Sequence, residues 1–182
     1  AVKDGRHSRA AAGGDGKAGV LGDLTLDFTI NPDFGQVEAD PSEVNLSNFE
    51  TFFTEKRPLF TTGSQLFVGG ANNYFYSRRI GAVPIGPPPG DYVDQPHAAT
   101  ILGAAKLTGR AGGFSIGALT ALTAMEDAEI AGINRVDHRS VVVEPMTGYT
   151  VLRARREFLN QSSLGFMTTS TNRQIEPAVN FL

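Results

Sequence analysis

The sequence predicts an all-β domain of antiparallel strands with a short helical insertion, and three observations predict it. Stretches such as "LTLDFTI", "ATILGAAKLTGR" and "GYTVLRARREF" alternate with a period of two residues, as a strand with unlike faces requires. Glycine (21 residues) and phenylalanine (12 residues) are abundant, which favours strands and tight turns over helix bundles. No run of eighteen apolar residues exists, so no stretch reads as a transmembrane helix. Alternating strands never make a long hydropathy peak, so a membrane β-barrel stays open beside a sandwich or an open sheet.

Composition narrows the function. At 182 residues the chain is one domain or part of a larger one. Its net charge of −3 supplies no basic field for nucleic acid, which is not an expected partner. With no cysteine there are no disulfides, thiolate metal sites or cysteine nucleophiles, and passage through an oxidising compartment is compatible with that. The first residues carry neither the charged nor the apolar region of a signal peptide.

Taken in order, residues 1–22 read as a flexible, glycine-rich lead-in and 23–182 as the β domain. Leu24, Leu26, Phe28 and Ile30 share one face of the first strand, and Thr25, Asp27 and Thr29 the other. Next comes the insertion, 40–58. Asp40-Pro41-Ser42-Glu43 and Ser47-Asn48-Phe49-Glu50 are two helix-start signatures, with Phe49, Phe52 and Phe53 on one helical face and Pro58 as the stop. "NNYFYSRRIG" reads as a short strand. "PIGPPPGDYVDQP" reads as a loop that cannot pair as an interior strand, because of its prolines. "ATILGAAKLTGR" and "FSIGALTALTA" flank Ala111-Gly112-Gly113 and predict a hairpin. "EDAEIAGINRVDH" reads as a polar loop and "RSVVVEP" as a strand. "GYTVLRARREF" and "SSLGFMTTSTNR" make a second hairpin across Leu159 to Gln161.

One strand carries a strongly charged face: Tyr149, Val151, Arg153, Arg155 and Glu157 alternate with Thr150, Leu152, Ala154, Arg156 and Phe158. Strands of about ten residues with a polar inside and an apolar outside are what a membrane barrel needs.

From 24 to 110 the chain also resembles a known family, carried by "TLDFTINPDFGQVEADPSEVNLSNFETFFTEKRPLF", "FYSRRIG" and "ILGAAKLTGRAGGFSIGALTA". The match extends more loosely through the second hairpin and covers roughly 21–173. The family is an uncharacterised domain of Gram-negative outer-membrane proteins, found C-terminal to a carbohydrate-binding family-nine-like module. The resemblance implies a many-stranded outer-membrane β-barrel. With about six or seven candidate strands, against about eight in small closed barrels, the expectation is strands of an incomplete outer-membrane-type β-barrel, a slice of a larger one. Implied partners are outer-membrane lipid, carbohydrate and the upstream module. Family members are often labelled hydrolases through that module, and the activity is not carried over to this chain.

The charged residues supply the candidate sites. Glu55, Lys56 and Arg57, with Arg78 and Arg79, form the densest cluster. They suit contact with an anionic or sugar ligand in a pore, or ion pairs that pin the insertion to the wall. The cost of an unpaired interior charge favours pairing. Arg153 and Arg155 are candidates for a lumen lining. Asp33, Glu38, Asp40 and Glu43 offer oxygen ligands for calcium, but their spacing is not that of an EF-hand, and capping explains Asp40 and Glu43 better. Glu38 with Asp40, or Glu50 with Glu55, are candidates for the paired carboxylates of a glycosidase, but two acids in an acidic loop are weak evidence and Glu50 already caps. His7, His97 and His138 form no triad. The expectation is no catalytic residue, no metal and no cofactor, in a non-enzymatic barrel segment tied to carbohydrate or polymer binding and uptake. A secreted glycan hydrolase and a soluble β-rich binding module are the alternatives.

Overall fold

The computed structural model describes residues 12–32, 52–67, 74–84, 90–132, 138–158 and 162–174. Among these residues the structure is nearly all β, with antiparallel pairing throughout and one very short helix. Six strands form the main sheet: β1 (Gly14–Val20), β2 (Asp23–Ile30), β4 (Ile101–Ala111), β5 (Phe114–Thr123), β8 (Thr147–Glu157) and β9 (Ser163–Arg173), neighbours in that order. A three-stranded sheet has the order β3 (Tyr92–Asp94), β6 (Glu126–Ala131), β7 (His138–Glu144). Among the described residues β1 and β9 are open edges, and no barrel closes.

The small sheet grows out of the large one. Pairing of β5 with β8 ends at Thr123↔Thr147 and resumes three residues on from each at Glu126↔Glu144, before a register shift. The two strand pairs are thus one long hairpin whose far end leaves the main sheet and takes up β3. At the other end of β5, Gly112 (φ 58°) and Gly113 (φ 79°) form a two-residue turn between the paired Ala111 and Phe114. Both positions are left-handed, as the hairpin turn that matches strand twist demands.

Several expectations are corrected. The lead-in expected over 1–22 includes a strand: β1 pairs with β2 along its whole length, around a turn left-handed at Leu21 and Gly22. Residues 40–51 of the expected helical insertion lie outside the described residues, and Phe52 to Arg57 carry no helix. Pro58 opens a helix, Pro58–Thr61, where it was expected to end one. A first-turn proline loses no hydrogen bond, and it holds Arg57 extended (ψ 125°). Ser77–Arg79 is a 3₁₀ turn rather than a strand end. The polar loop expected at 126–138 contains β6, whose buried Ala128 and Ile130 alternate with exposed Asp127 and Glu129. Tyr92 to Asp94 pair only at a sheet edge, in keeping with the prolines before them.

Register sorts the main sheet into two unlike faces. One row on the inner face reads Lys17, Asp27, Lys106, Leu119, Val151, Thr169, and the neighbouring outer row reads Ala18, Leu26, Leu107, Ala118, Leu152, Thr168. The described residues 52–67 and 74–84, the covering segment, lie over the inner face. Phe60, Phe67 and Ile80 from that segment are buried with Ile101, Ala104, Leu119, Ala121 and Val151 of the sheet. Each buried phenylalanine stabilises this contact by about 1.5–3 kcal/mol. Gly117 provides the seat: a Cβ there would lie 3.2 Å from the Phe67 ring and 3.3 Å from Leu66 Cβ. On the outer face Leu152 is 45% exposed, Leu164 70% and Phe166 65%, with Phe28, Ile30, Phe114 and Leu122 also exposed. Leu107 and Ile116 are half-buried.

Candidate functional site

The densest polar contacts lie where the covering segment meets itself and the inner face. The extended backbone at Arg57 turns its guanidinium back onto Glu55. Nε donates to Glu55 Oε1 (2.8 Å) and Nη2 to Oε2 (2.7 Å), a bidentate pair. The remaining contacts cross to the second half of the segment: Nη1 donates to the Ile80 carbonyl (2.6 Å) and Nη2 to that of Ser77 (2.9 Å). Ser77 Oγ donates to Glu55 Oε2 (2.6 Å), and the guanidinium stacks 4.3 Å over Phe60. Burial alone would raise the Glu55 pKa. The hydrogen bonds from Arg57 and Ser77 and the Arg57 charge outweigh it and hold the carboxyl below its ordinary value. Close by, Tyr76 Oη accepts from the Phe53 N–H (2.8 Å), and its ring meets Phe52 edge-on at 5.0 Å. A cavity of about 160 Å³ lies under this knot, bounded by Glu55, Phe60, Phe67, Phe75 and Tyr76 among others.

Two basic side chains of the sheet reach up to the segment. Lys106, 1% exposed, donates through Nζ to the carbonyls of Leu59 and Thr62, at the C-terminal end of the short helix, and lies 3.8 Å from Asp27 Oδ2. Lys17 pairs with the other Asp27 oxygen at 3.5 Å. Arg153 Nη1 donates to the Leu66 carbonyl (3.3 Å). A chain crossing an inner face leaves backbone carbonyls without sheet partners, and these cations satisfy some of them.

Residues 2–178 match the family described as a domain of unknown function (DUF5916). The chain belongs to that family. No curated protein and no solved structure matches it. The DUF5916 match begins before β1 and runs past β9, so the β1–β2 hairpin, the covering segment and both sheets all lie within it. Its description names no activity, location or neighbouring module.

Within this DUF5916 domain the sequence-predicted site residues do not form one constellation. Glu55 and Arg57 are joined as above, and Lys56 contributes its backbone N–H to Glu55 Oε1 (3.1 Å). Arg78 lies 6.0 Å over the Phe53 ring, beside the knot. The Arg79 carbonyl accepts from Tyr149 Oη at 3.4 Å. Arg153 sits under the Ser64–Phe67 turn, while Arg155 is exposed and pairs with Glu157 at 3.5 Å. The carboxylates considered for calcium or hydrolysis at Asp33, Glu38, Asp40, Glu43 and Glu50 lie outside the described residues. Among the described residues no three acids or histidines gather as metal ligands. Sequence reasoning missed Ser77, Tyr76 and Lys106. The signal for Lys106 was its shared parity with apolar inner-face neighbours, but its partners are 44 and 47 residues away and only the fold brings them near.

Proposed function

We propose that this chain is a stretch of the wall of a Gram-negative outer-membrane β-barrel, a non-enzymatic part of a protein that binds or takes up carbohydrate or another polymer at the cell surface. One observation carries the reading: a six-stranded antiparallel sheet with one face of exposed apolar side chains that no described residue covers, and a second face, with Lys17, Asp27, Lys106 and Arg153 among its side chains, that meets a non-strand segment. In water such an apolar face is unfavourable, whereas hydrocarbon accommodates it. β4, β5, β8 and β9 are 10 or 11 residues long, the length a tilted spanning strand needs. From Phe114 to Leu122 the outer face runs roughly 27 Å along the strand, or about 20 Å in height at the tilt of such barrels, against an apolar band about 25 Å tall. Arg156 lies 5.3 Å over Phe114 and 5.6 Å over Phe158, an aromatic group at the end of this face where a barrel carries its girdle. The covering segment packs on the opposite, inner face, so in a barrel wall its backbone donors and acceptors would lie away from lipid, which non-strand backbone at membrane depth requires. The polymer is assigned from the resemblance to proteins with an upstream sugar-binding module.

Heat-modifiability of the full-length protein from outer-membrane fractions tests the reading. A folded barrel runs faster on a detergent gel before boiling than after. Identical mobility, with the protein recovered in the soluble fraction, overturns the proposal.

A further inference from the structure

The short connections of the main sheet gather at one end. Leu21-Gly22 joins β1 to β2 and Gly112-Gly113 joins β4 to β5, and Asp23 pairs with Arg110 beside both turns. Phe114↔Arg156 and Glu157↔Ser163 bring the β8–β9 connection to the same end, where the Phe158 N–H donates to the Ser162 carbonyl (2.8 Å). The opposite end takes the long connections, residues 31–100 between β2 and β4 and residues 124–146 between β5 and β8.

The surface changes character at that second end. Along β5 and β8 the outer face exposes Leu122 and Leu152. Beyond Met125 and Met146 the same hairpin leaves the main sheet as an arm, β3–β6–β7. There β6 buries Ala128 and Ile130 and exposes Asp127 and Glu129. Apolar side chains turned in and carboxylates turned out are the pattern of a strand in water, and hydrocarbon disfavours such carboxylates. On the barrel reading, the edge of the apolar band therefore falls near Met125 and Met146, and the arm stands clear of the bilayer.

We infer that the end bearing the β3–β6–β7 arm faces the cell exterior and the end with the short turns faces the periplasm. The inference rests on the barrel reading and adds a direction to it. Outer-membrane barrels keep short turns on the periplasmic side and long connections on the outer side. In this sheet the pairing register sorts the two kinds of connection to opposite ends, with none misplaced. The arm is then the surface of this chain that a molecule arriving from the medium meets first.

Thiol labelling of full-length protein in the outer membrane of intact cells tests this. The chain has no cysteine, so an introduced thiol has no rival within it, and unsubstituted protein sets the background. Asp127→Cys and Ser140→Cys put exposed thiols on the arm, and Asp23→Cys and Ser163→Cys put them beside the short connections. The reagent is a maleimide carried on a polymer too large to cross the outer membrane. The arm thiols are expected to react on intact cells. The turn-end thiols should stay at background there and react once EDTA and lysozyme open the membrane. Two variants at each end keep the comparison readable if one fails to fold. Background labelling of both arm thiols on intact cells overturns the inference. So does labelling of either turn-end thiol on intact cells, or silence of both after the membrane is opened. Heat-modifiability of the same preparations keeps the two failures apart. A heat-modifiable protein labelled in the opposite sense defeats the orientation alone, and one that is not heat-modifiable and is recovered in the soluble fraction defeats the barrel.

Discussion

At the scale of single residues, Arg57 and Glu55 do most to hold the covering segment in one shape. Their side chains are 9% and 13% exposed, and they join residues 20 to 23 positions apart. Arg57→Ala leaves a largely buried carboxylate without its cation, a loss of about 3–5 kcal/mol for a buried pair broken on one side. Arg57→Lys keeps the charge but not the fork, and an intermediate loss is expected. Urea unfolding of both variants checks the order. The pair also sets an acid limit. A carboxyl whose pKa is depressed on folding adds stability above its unfolded value, about 4.3, and loses it as pH falls through the lower folded value. Stability should therefore fall away below about pH 4, and Glu55→Gln should be weaker at neutral pH with a shallower acid limb. Melting curves from about pH 3 to pH 7 measure this. An acid limb equally steep in Glu55→Gln would remove Glu55 from the account.

Elements behave less uniformly than residues. The β4–β5 hairpin was legible because every local signal agreed: alternation on both sides and two glycines at the turn. The β8–β9 pair was legible from the same alternation. β6 was not, because acidic residues on its exposed face hide the two buried positions that define it. β1 is small and polar, "GDGKAGV", and becomes a strand by pairing with β2 rather than by propensity. The Ser77–Arg79 turn was misread since three aromatic residues before it look like strand, while the contacts that fold it come from Arg57. Gly117 links the elements. Gly117→Val would push Phe67 and Leu66 off β5, at a cost of about 1–3 kcal/mol from overpacking. The consequence is local. Trypsin should cut faster at Lys56 in that variant while cleavage within β8 stays unchanged, and equal rates at Lys56 would show that Phe67 seats elsewhere.

Across the whole molecule the question is which medium meets each face. Leu152 stands at the middle of β8 on the outer face, and Thr169 is exposed on the inner face of β9. In a membrane wall, Leu152→Arg costs about 2–4 kcal/mol, as an arginine at mid-depth does, while Thr169→Arg stays near neutral. Folding equilibria of full-length protein in lipid vesicles against urea separate the two. A difference within about 0.5 kcal/mol, the range of ordinary surface substitutions, would mean that water bathes both faces. The covering segment bears on the same question. It buries Phe60 and Phe67 against one face only, and leaves Leu152, Leu164 and Phe166 of the other exposed.

The sequence by itself determined the antiparallel strands, the two-faced alternation, the glycine turn and the family, since each depends on residues close in the chain or on a long distinctive motif. Only the tertiary structure decided that Lys106 is buried, that Arg57 closes on Ser77 and Ile80, and that, among the described residues, 52–67 and 74–84 pack on one face while Leu152, Leu164 and Phe166 of the other stay exposed. The physical reason is range. Period-two patterning and turn geometry are fixed within a few residues, whereas burial of a charge depends on carbonyls brought in from more than 40 positions away.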